Sequence, residues 1–371
     1  MLDGMTKTPS TPPADPLHPA PRNKAHGAVS PSLTLPVHVA GSGALDRLVE
    51  TARGYARHAL SDNTLRAYAR DWAQFTRWCR MRGTDPLPPS PELIGLYIAD
   101  LAAPRDKASS TAARSLSVSS IERRLSGLSW GYTQRGFNLD RKDPHIVTIL
   151  AGIRRRHGRP PLQKEAILPE DIRAMVATLP HDLRGLRDRA ILLLGFAGGL
   201  RRSEIVSFDH GKDDTPDSGG WVEIQEEGVL LTLRGKTGWR EVEIARGSRE
   251  QTCPVRALEQ WLHYARIGFG PIFLAVSRDG KRALGRRLND KHVARLIKQT
   301  VLGAGLRPDL PQAERLRLYS GHSLRAGLAS SAEVDERYVQ KHLGHASAEM
   351  TRRYQRRRDR FRVNLTKAAG L

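Results

Sequence analysis

The sequence predicts a mainly α-helical protein with a small antiparallel sheet, arranged as an N-terminal helical bundle and a larger C-terminal α+β unit. Three observations predict it. From residue 45 to about residue 153, apolar side chains recur at three- and four-residue steps, the period of one helix face. From Gly220 to Arg246, apolar and polar residues alternate around a Lys-Thr-Gly-Trp turn, the period of strands. Between these regions lies IRRRHGRPP (153–161), a cationic run with two prolines that breaks the helical pattern.

Residues 1–44 are rich in Pro, Ser, Thr and Ala and show no hydrophobic period. Such a segment buries too little apolar surface to offset the entropy of ordering, so a disordered arm is expected. In the bundle, 45–152, the stretch SDNT (61–64) offers N-caps ahead of Leu65, Tyr68, Trp72, Phe75, Trp78 and Cys79. A second helix is expected from Ser90, with Pro91 in its first turn and Leu93, Leu96 and Tyr97 behind it. A third runs from Ser119 through Ile121, Leu125 and Leu128, and a fourth opens at Asp143-Pro144 and carries Ile146, Val147, Leu150 and Ile153. Trp72, Phe75 and Trp78 sit at helical spacing and read as core, not as platforms for stacking bases. The cationic run 153–161 reads as the linker between the two parts.

In the second part, 162–371, LPEDIRAMVATL (168–179) starts a helix with Pro169 and acidic residues in its first turn. LRDRAILLLGFAGG (186–199) reads as a buried helix stopped by Gly-Gly. DHGKDDTPDSGG (209–220) is expected to be an acidic surface loop, and 220–246 a β-hairpin or three short strands. Further helices are expected from Thr252, Asn289, His322, Asp335 and Ala348. No internal repeat is visible.

Charge narrows the function. The chain has 371 residues with 60 Lys and Arg against 39 Asp and Glu, a formal net charge of +21. Such an excess repels itself unless a polyanion neutralises it, and nucleic acid is the usual partner. The basic linker then reads as a segment that neutralises phosphates, with a plain solvated loop as the alternative. The longest apolar run, AILLLGFAGGL (190–200), is too short to span a bilayer, so no membrane partner is expected. The two cysteines, Cys79 and Cys253, form neither a metal-ligand pattern nor a disulfide framework, which fits a reducing compartment. No secretory signal opens the chain, and the expected location is cytoplasmic, at the nucleoid.

Breaking a phosphodiester without a metal needs a nucleophile, cations for the non-bridging oxygens, a proton acceptor and an acid for the leaving oxygen. The chain offers candidates for each, in order. Arg201 lies in GGLRRSEI (198–205), Lys236 sits in the RGKTG turn, and His322 and Arg325 stand three residues apart on one helix face. His345 closes HLGH (342–345), and Tyr354 follows in AEMTRRYQ (348–355). Each of these alone would ordinarily be a solvated arginine, a structural histidine or a packed tyrosine. The ordered set is the signal.

That set resembles the signature of the tyrosine recombinases, also called the phage integrase family. The family's Arg, Lys, His-x-x-Arg, His and Tyr match Arg201, Lys236, His322, Arg325, His345 and Tyr354, and its Gly-Leu-Arg box with a following acid matches Gly199, Leu200, Arg201 and Glu204. Its Leu-Gly-His and Thr-x-x-Tyr boxes match LGHASAEMTRRY (343–354), and YSGHSLRAG (319–327) is similar to the Cre-like form. NTLRAYARDWAQFTRWC (63–79) resembles the family's core-binding domain. The span from His322 to His345 is shorter than in Xer-type members by about one helical turn, and 209–220 reads as an elaboration.

The resemblance implies a helical, SAM-like core-binding domain at 45–152 and an α+β catalytic domain at 162–371. It implies a site-specific DNA recombinase that integrates, excises or resolves a mobile element through a 3′-phosphotyrosyl intermediate on Tyr354. Arg201 and Arg325 would clamp the phosphate, Lys236 would protonate the leaving 5′ oxygen, and Glu204 would brace the site. His322 would take the tyrosine proton and His345 would bond the phosphate, or the two would exchange roles. Neither metal nor cofactor is implied. Arg154, Arg155, Arg156, Arg159, Arg352 and Arg353 are the candidate DNA contacts. The implied partners are double-stranded recombination sites and accessory recombination factors, with a homotetramer on DNA and a monomer or weak oligomer in its absence. The rival readings are a type IB topoisomerase-like relaxing enzyme and a non-catalytic basic DNA-binding regulator; a regulator would have no use for Tyr354 or Lys236.

Overall fold

Ser61, Ser90, Ser117 and Asp143 each place a side-chain oxygen on a backbone N–H two or three residues ahead, and each opens a helix. In the computed structural model these helices are α2 (Asp62–Met81), α3 (Pro91–Ala102), α4 (Val118–Thr133) and α5 (Pro144–His157), preceded by α1 (Asp46–His58). The structure describes residues 46–103, 115–160, 163–213, 215–235, 238–345, 347–352 and 366, so the expected disordered arm lies outside the described residues. The chain divides into two units, residues 1–160 and 161–371.

The first unit is built on the aromatic face of α2. Phe75 is fully buried, and Trp72 and Trp78 are nearly so. Trp72 meets Tyr132 of α4 edge-on at 4.9 Å, and Phe75 meets Tyr97 of α3 at 5.0 Å. Geometries of this kind favour aromatic pairs beyond their buried area, and they leave these rings no role in stacking on bases. Cys79 is a buried free thiol, as its place on the apolar face required. Asp71, also buried, is satisfied by a two-pronged bond from Arg123.

The expected linker at 153–161 needs correction. Ile153 is buried in the bundle core, and α5 continues to His157. Arg154, Arg155 and Arg156 therefore form the last turn of a helix, where cations complement the helix dipole. Of the described residues in that run, only 158–160 lie beyond the helix.

In the second unit, α6 (Pro169–Ala177) and α7 (Leu183–Ala197) lead to α8 (Arg202–Ser207) and a four-stranded sheet. The strands are β1 (Phe208–His210), β2 (Gly220–Ile224), β3 (Gly228–Gly235) and β4 (Gly238–Ala245), in that spatial order. β3 pairs antiparallel with β2 and β4, but β1 runs parallel to β2, so the sheet is mixed. A short 3-10 turn precedes α9 (Pro254–Ala265). β5 (Leu274–Val276) and β6 (Ala283–Arg287) form a second, two-stranded sheet. It escapes a sequence reading because three residues and the polar ALGRR carry no alternation. Then come α10 (Asp290–Gly303), α11 (Gln312–Leu318), α12 (Gly321–Ser331) and α13 (Glu336–Leu343), and residues 348–352 are again helical.

The stretch at 209–220 is not a simple surface loop. Asp209 is fully buried, and its carboxylate takes Arg287 Nη2 at 2.5 Å and both the backbone N–H and hydroxyl of Thr215. A buried charge persists only when paired and hydrogen-bonded, and β6 supplies the arginine. The main core lies around α7, whose Ile191, Leu192 and Leu194 are fully buried along with Trp261 of α9, Ile297 of α10 and Leu324 of α12. These contacts bring the end of α7 and the start of α12 together, which sets up the site.

Candidate active site

Arg325 is 1% exposed, yet it is an arginine on a helix whose neighbours are small and apolar. Its guanidinium donates to the carbonyl of Gly199 at 2.7 Å and to that of Leu343. Gly199 stands two residues before Arg201, and Leu343 two before His345. One buried side chain thus ties its own helix to the end of α7, 126 residues earlier in the chain, and to the end of α13, 18 residues later. Gly199 adopts φ +54°, and a Cβ there would meet Leu343 at 2.4 Å, so the Gly-Gly stop of α7 also makes room for this approach.

Arg201 is the N-cap of α8 and keeps its side chain 28% exposed. Glu204 holds it twice: one carboxylate oxygen accepts Arg201 Nη1 at 2.6 Å, the other its backbone N–H at 2.8 Å. The second oxygen also accepts Arg240 Nη2 at 3.2 Å, and Arg240 donates on to the carbonyl of His342. Ser320 caps α12 through its bond from the N–H of His322, so His322 stands at the helix start on the same face as Arg325. His345 follows Gly344, the left-handed cap of α13, and its Nδ1 shares a bond with the Thr351 hydroxyl at 2.9 Å. Both His345 and Thr351 are buried.

Electrostatics follow from this crowding. Burial, reinforced by the charges of Arg325, Arg201 and Arg240, holds the His345 imidazole down at about 4. His322 is also lowered, first by loss of solvation and then by Arg325, Arg201 and Arg202, although the residue keeps an exposed face. Both rings are therefore neutral near pH 7 and able to accept a proton or donate a hydrogen bond.

The structure thus brings Arg201, Glu204, His322, Arg325 and His345 together. Lys236, between the paired Gly235 and Gly238, and Tyr354 and Arg353 lie outside the described residues. Arg352 forms an exposed ion pair with Glu336 at 3.1 Å. In the first unit Arg154 pairs with Glu122 at 2.7 Å, while Arg155, Arg156 and Arg159 are exposed. Among the described residues no cluster of His, Cys, Asp or Glu is arranged to hold a metal ion, and no helix is long and apolar enough to cross a membrane.

Two site residues escaped the sequence reading. Thr351 gives no signal beyond its place in the Thr-x-x-Tyr box. Arg240 does give one: it occupies the inward register of β4, in line with the buried Val242 and Ile244. A cation at such a position needs a partner, and the alternation alone marks it.

Fold and site together have the form of an enzyme that handles phosphate with arginines and neutral histidines. Residues 165–360 match the profile described as the phage integrase family. An integrase/recombinase XerD homolog of Selenomonas ruminantium is 33% identical over 331 residues, covering 86% of this chain and 89% of that one. A tyrosine recombinase XerC of Xylella fastidiosa (strain M23) is 29% identical over 321 residues, 84% and 92% of the two chains. Among solved structures, the XerH site-specific recombinase in its post-cleavage complex shares the fold with a TM-score of 0.52 at 16% identity, over 83% of this chain and 79% of that one. The chain belongs to the phage integrase family, the tyrosine recombinases, as its motifs led us to expect.

Proposed function

We propose that this recombinase cleaves and rejoins DNA at specific sites, using Tyr354 as nucleophile in a pocket organised by Arg325. The observation that carries the reading is the pair of bonds from Arg325 to Gly199 and Leu343. They fix the Arg201 and His345 boxes around the helix that bears His322. In the reaction, the Tyr354 Oη–phosphorus bond forms as the bond from phosphorus to the 5′ oxygen breaks, leaving a 3′-phosphotyrosyl strand and a free 5′-hydroxyl. The tyrosine proton passes to His322, or to His345 if the two exchange roles, and Lys236 supplies the proton to the 5′ oxygen. An unperturbed tyrosine has a pKa of about 10, and the cations around the site favour its phenolate. Arg201, partly exposed, meets the phosphate oxygens with its planar fork, and Arg325 adds its charge from the floor of the site. Attack by a second 5′-hydroxyl reverses the step, so the bond energy is kept in the adduct.

The net charge of +21 and the exposed Arg155, Arg156 and Arg159 support duplex DNA as the partner, held mainly through phosphates. Arg154 and Arg352 would exchange a surface carboxylate for a phosphate, which costs little because exposed ion pairs are weak; Arg353 would join them. Joining two duplexes takes four cleavages, hence a tetramer on DNA assembled from monomers or weak oligomers, with accessory factors setting direction. The residues at 45–152 would grip the site as a core-binding domain. Integration, excision or resolution of a mobile element, inside the cytoplasm at the nucleoid, is the role this chemistry fits.

The test is to incubate wild type and Tyr354→Phe with candidate element-end DNA nicked near the cleavage point, in chelator. A covalent protein–DNA band with wild type alone supports the reading; a band from both, or a metal requirement, overturns it. A relaxing enzyme would also form the band but would yield no two-site product, and a pure regulator would form none.

A further inference from the structure

Among the described residues of the site, Arg240 is a largely enclosed cation that the recombinase signature does not include. It is also expensive to keep. Its side chain is 12% exposed, it faces inward beside Val242 and Ile244, and its Nε is buried with no partner among the described residues. An apolar side chain in that register would pack without desolvating a charge, so stability alone gives no reason for an arginine here.

What Arg240 does is join three pieces of the site. Its Nη2 bonds the carboxylate oxygen of Glu204 that also takes the Arg201 backbone. Its Nη1 bonds the carbonyl of His342, in the last turn of α13. Its stem lies against Gly344, where an added Cβ would come within 2.7 Å of Arg240 Cδ. Arg240 is also only two residues into β4, which starts at Gly238, two positions after Lys236 in the sequence.

We propose that Arg240 is a positioning residue: by bonding Glu204 and the His342 carbonyl together it clamps the start of β4 to the Arg201 and His345 boxes, and so aims Lys236 at the leaving 5′ oxygen. The inference rests on the reading of Lys236 as the acid. A guanidinium suits the task because its planar fork reaches two acceptors at fixed angles, which a single ammonium cannot do.

A leaving group that needs no proton separates aiming the acid from holding the fold. Cleavage is measured on two nicked DNA substrates, one with the ordinary 5′ oxygen and one with sulfur at the bridging position, for the full-length wild type, Lys236→Ala, Arg240→Met and Arg240→Lys. The sulfur departs as a thiolate when the phosphorus–sulfur bond breaks. On the oxygen substrate, Lys236→Ala and Arg240→Met should be slower by roughly a hundredfold, the scale of a lost general acid. Arg240→Lys, which keeps the charge and most of the stem, should fold normally and lose roughly tenfold on the same scale. On the sulfur substrate all three should return to near the wild-type rate. If Lys236→Ala recovers on sulfur while both Arg240 variants stay slow, Arg240 does not act through Lys236 and the proposal is wrong. If Lys236→Ala itself stays slow on sulfur, the acid assignment is wrong and the Arg240 proposal falls with it. Unchanged oxygen cleavage in Arg240→Lys and Arg240→Met would also overturn it.

Discussion

The guanidinium of Arg325 donates a 2.7 Å hydrogen bond to the backbone carbonyl of Gly199, two residues before Arg201. Arg325 is therefore both a charge in the site and a structural tie, whereas Arg201 is held mainly by Glu204 and remains partly open to solvent. The two arginines should fail differently when removed.

Arg325→Ala leaves the carbonyls of Gly199 and Leu343 without a donor they now have, in a buried setting. Each such loss costs about 1–3 kcal/mol, so the thermal midpoint should drop sharply and cleavage should be lost. Arg201→Ala leaves Glu204 still bonded to Arg240. Its midpoint should stay close to wild type while covalent-adduct formation falls on the order of 10²–10³-fold, the scale of one lost oxyanion donor. Equal loss of stability in the two variants would contradict the division of labour.

Stability should weaken in mild acid because of His345. An unfolded chain's histidine takes its proton near 6.5, whereas folded His345 waits until about 4. Between those values the unfolded state binds the extra proton, so lowering the pH favours unfolding, by up to about 3 kcal/mol across the window. The contribution is fully present above 6.5 and gone below 4. His345→Gln should have a flatter dependence of thermal midpoint on pH in that window; an unchanged slope would show that His345 is not the group responsible.

Gly327→Ala probes the seat of α12. Ile167 donates its backbone N–H to the carbonyl of Ser323, and a Cβ on Gly327 would come within 1.8 Å of the Ile167 carbonyl oxygen. Backbone must shift to admit it, so a loss of about 1–3 kcal/mol is expected, with a matching fall in the denaturant midpoint. A variant as stable as wild type would mean that α12 does not lie against residue 167.

The terminal segment carries Arg356, Arg357, Arg358, Arg360 and Arg362, then Val363 and Leu365. Reading it as an arm that docks on a neighbouring subunit predicts that truncation after Arg360 spares cleavage of a single nicked site but weakens tetramer assembly on paired sites. Gel-shift and light-scattering measurements on DNA check this, and unchanged tetramer formation would rule the arm out.

Much of this was legible in the residues, for identifiable reasons. The bundle announced itself through Trp72, Phe75 and Trp78, because burial on one helix face imposes the spacing directly. The strands at 220–246 showed through alternation. The site was visible only as an ordered set of residue types, since nothing in Gly199 or Leu343 says that their carbonyls receive Arg325. The linker was placed too early because a run of arginines looks like a break, while a helix C-terminus welcomes cations. Asp209 was misjudged because its partner Arg287 comes from β6, whose polar ALGRR shows no alternation to mark it as a strand. Arg240 was missed because a signature search passes over it, although its inward register set it apart.

The most direct measurement is the identity of the residue joined to DNA. Wild-type protein is trapped on nicked substrate in chelator, digested with nuclease and protease, and its peptides are weighed. A nucleotide 3′-phosphate on Tyr354 is the result this account predicts. The same mass on any other residue, or no nucleotide-bearing peptide from a protein that still binds the site, would contradict it.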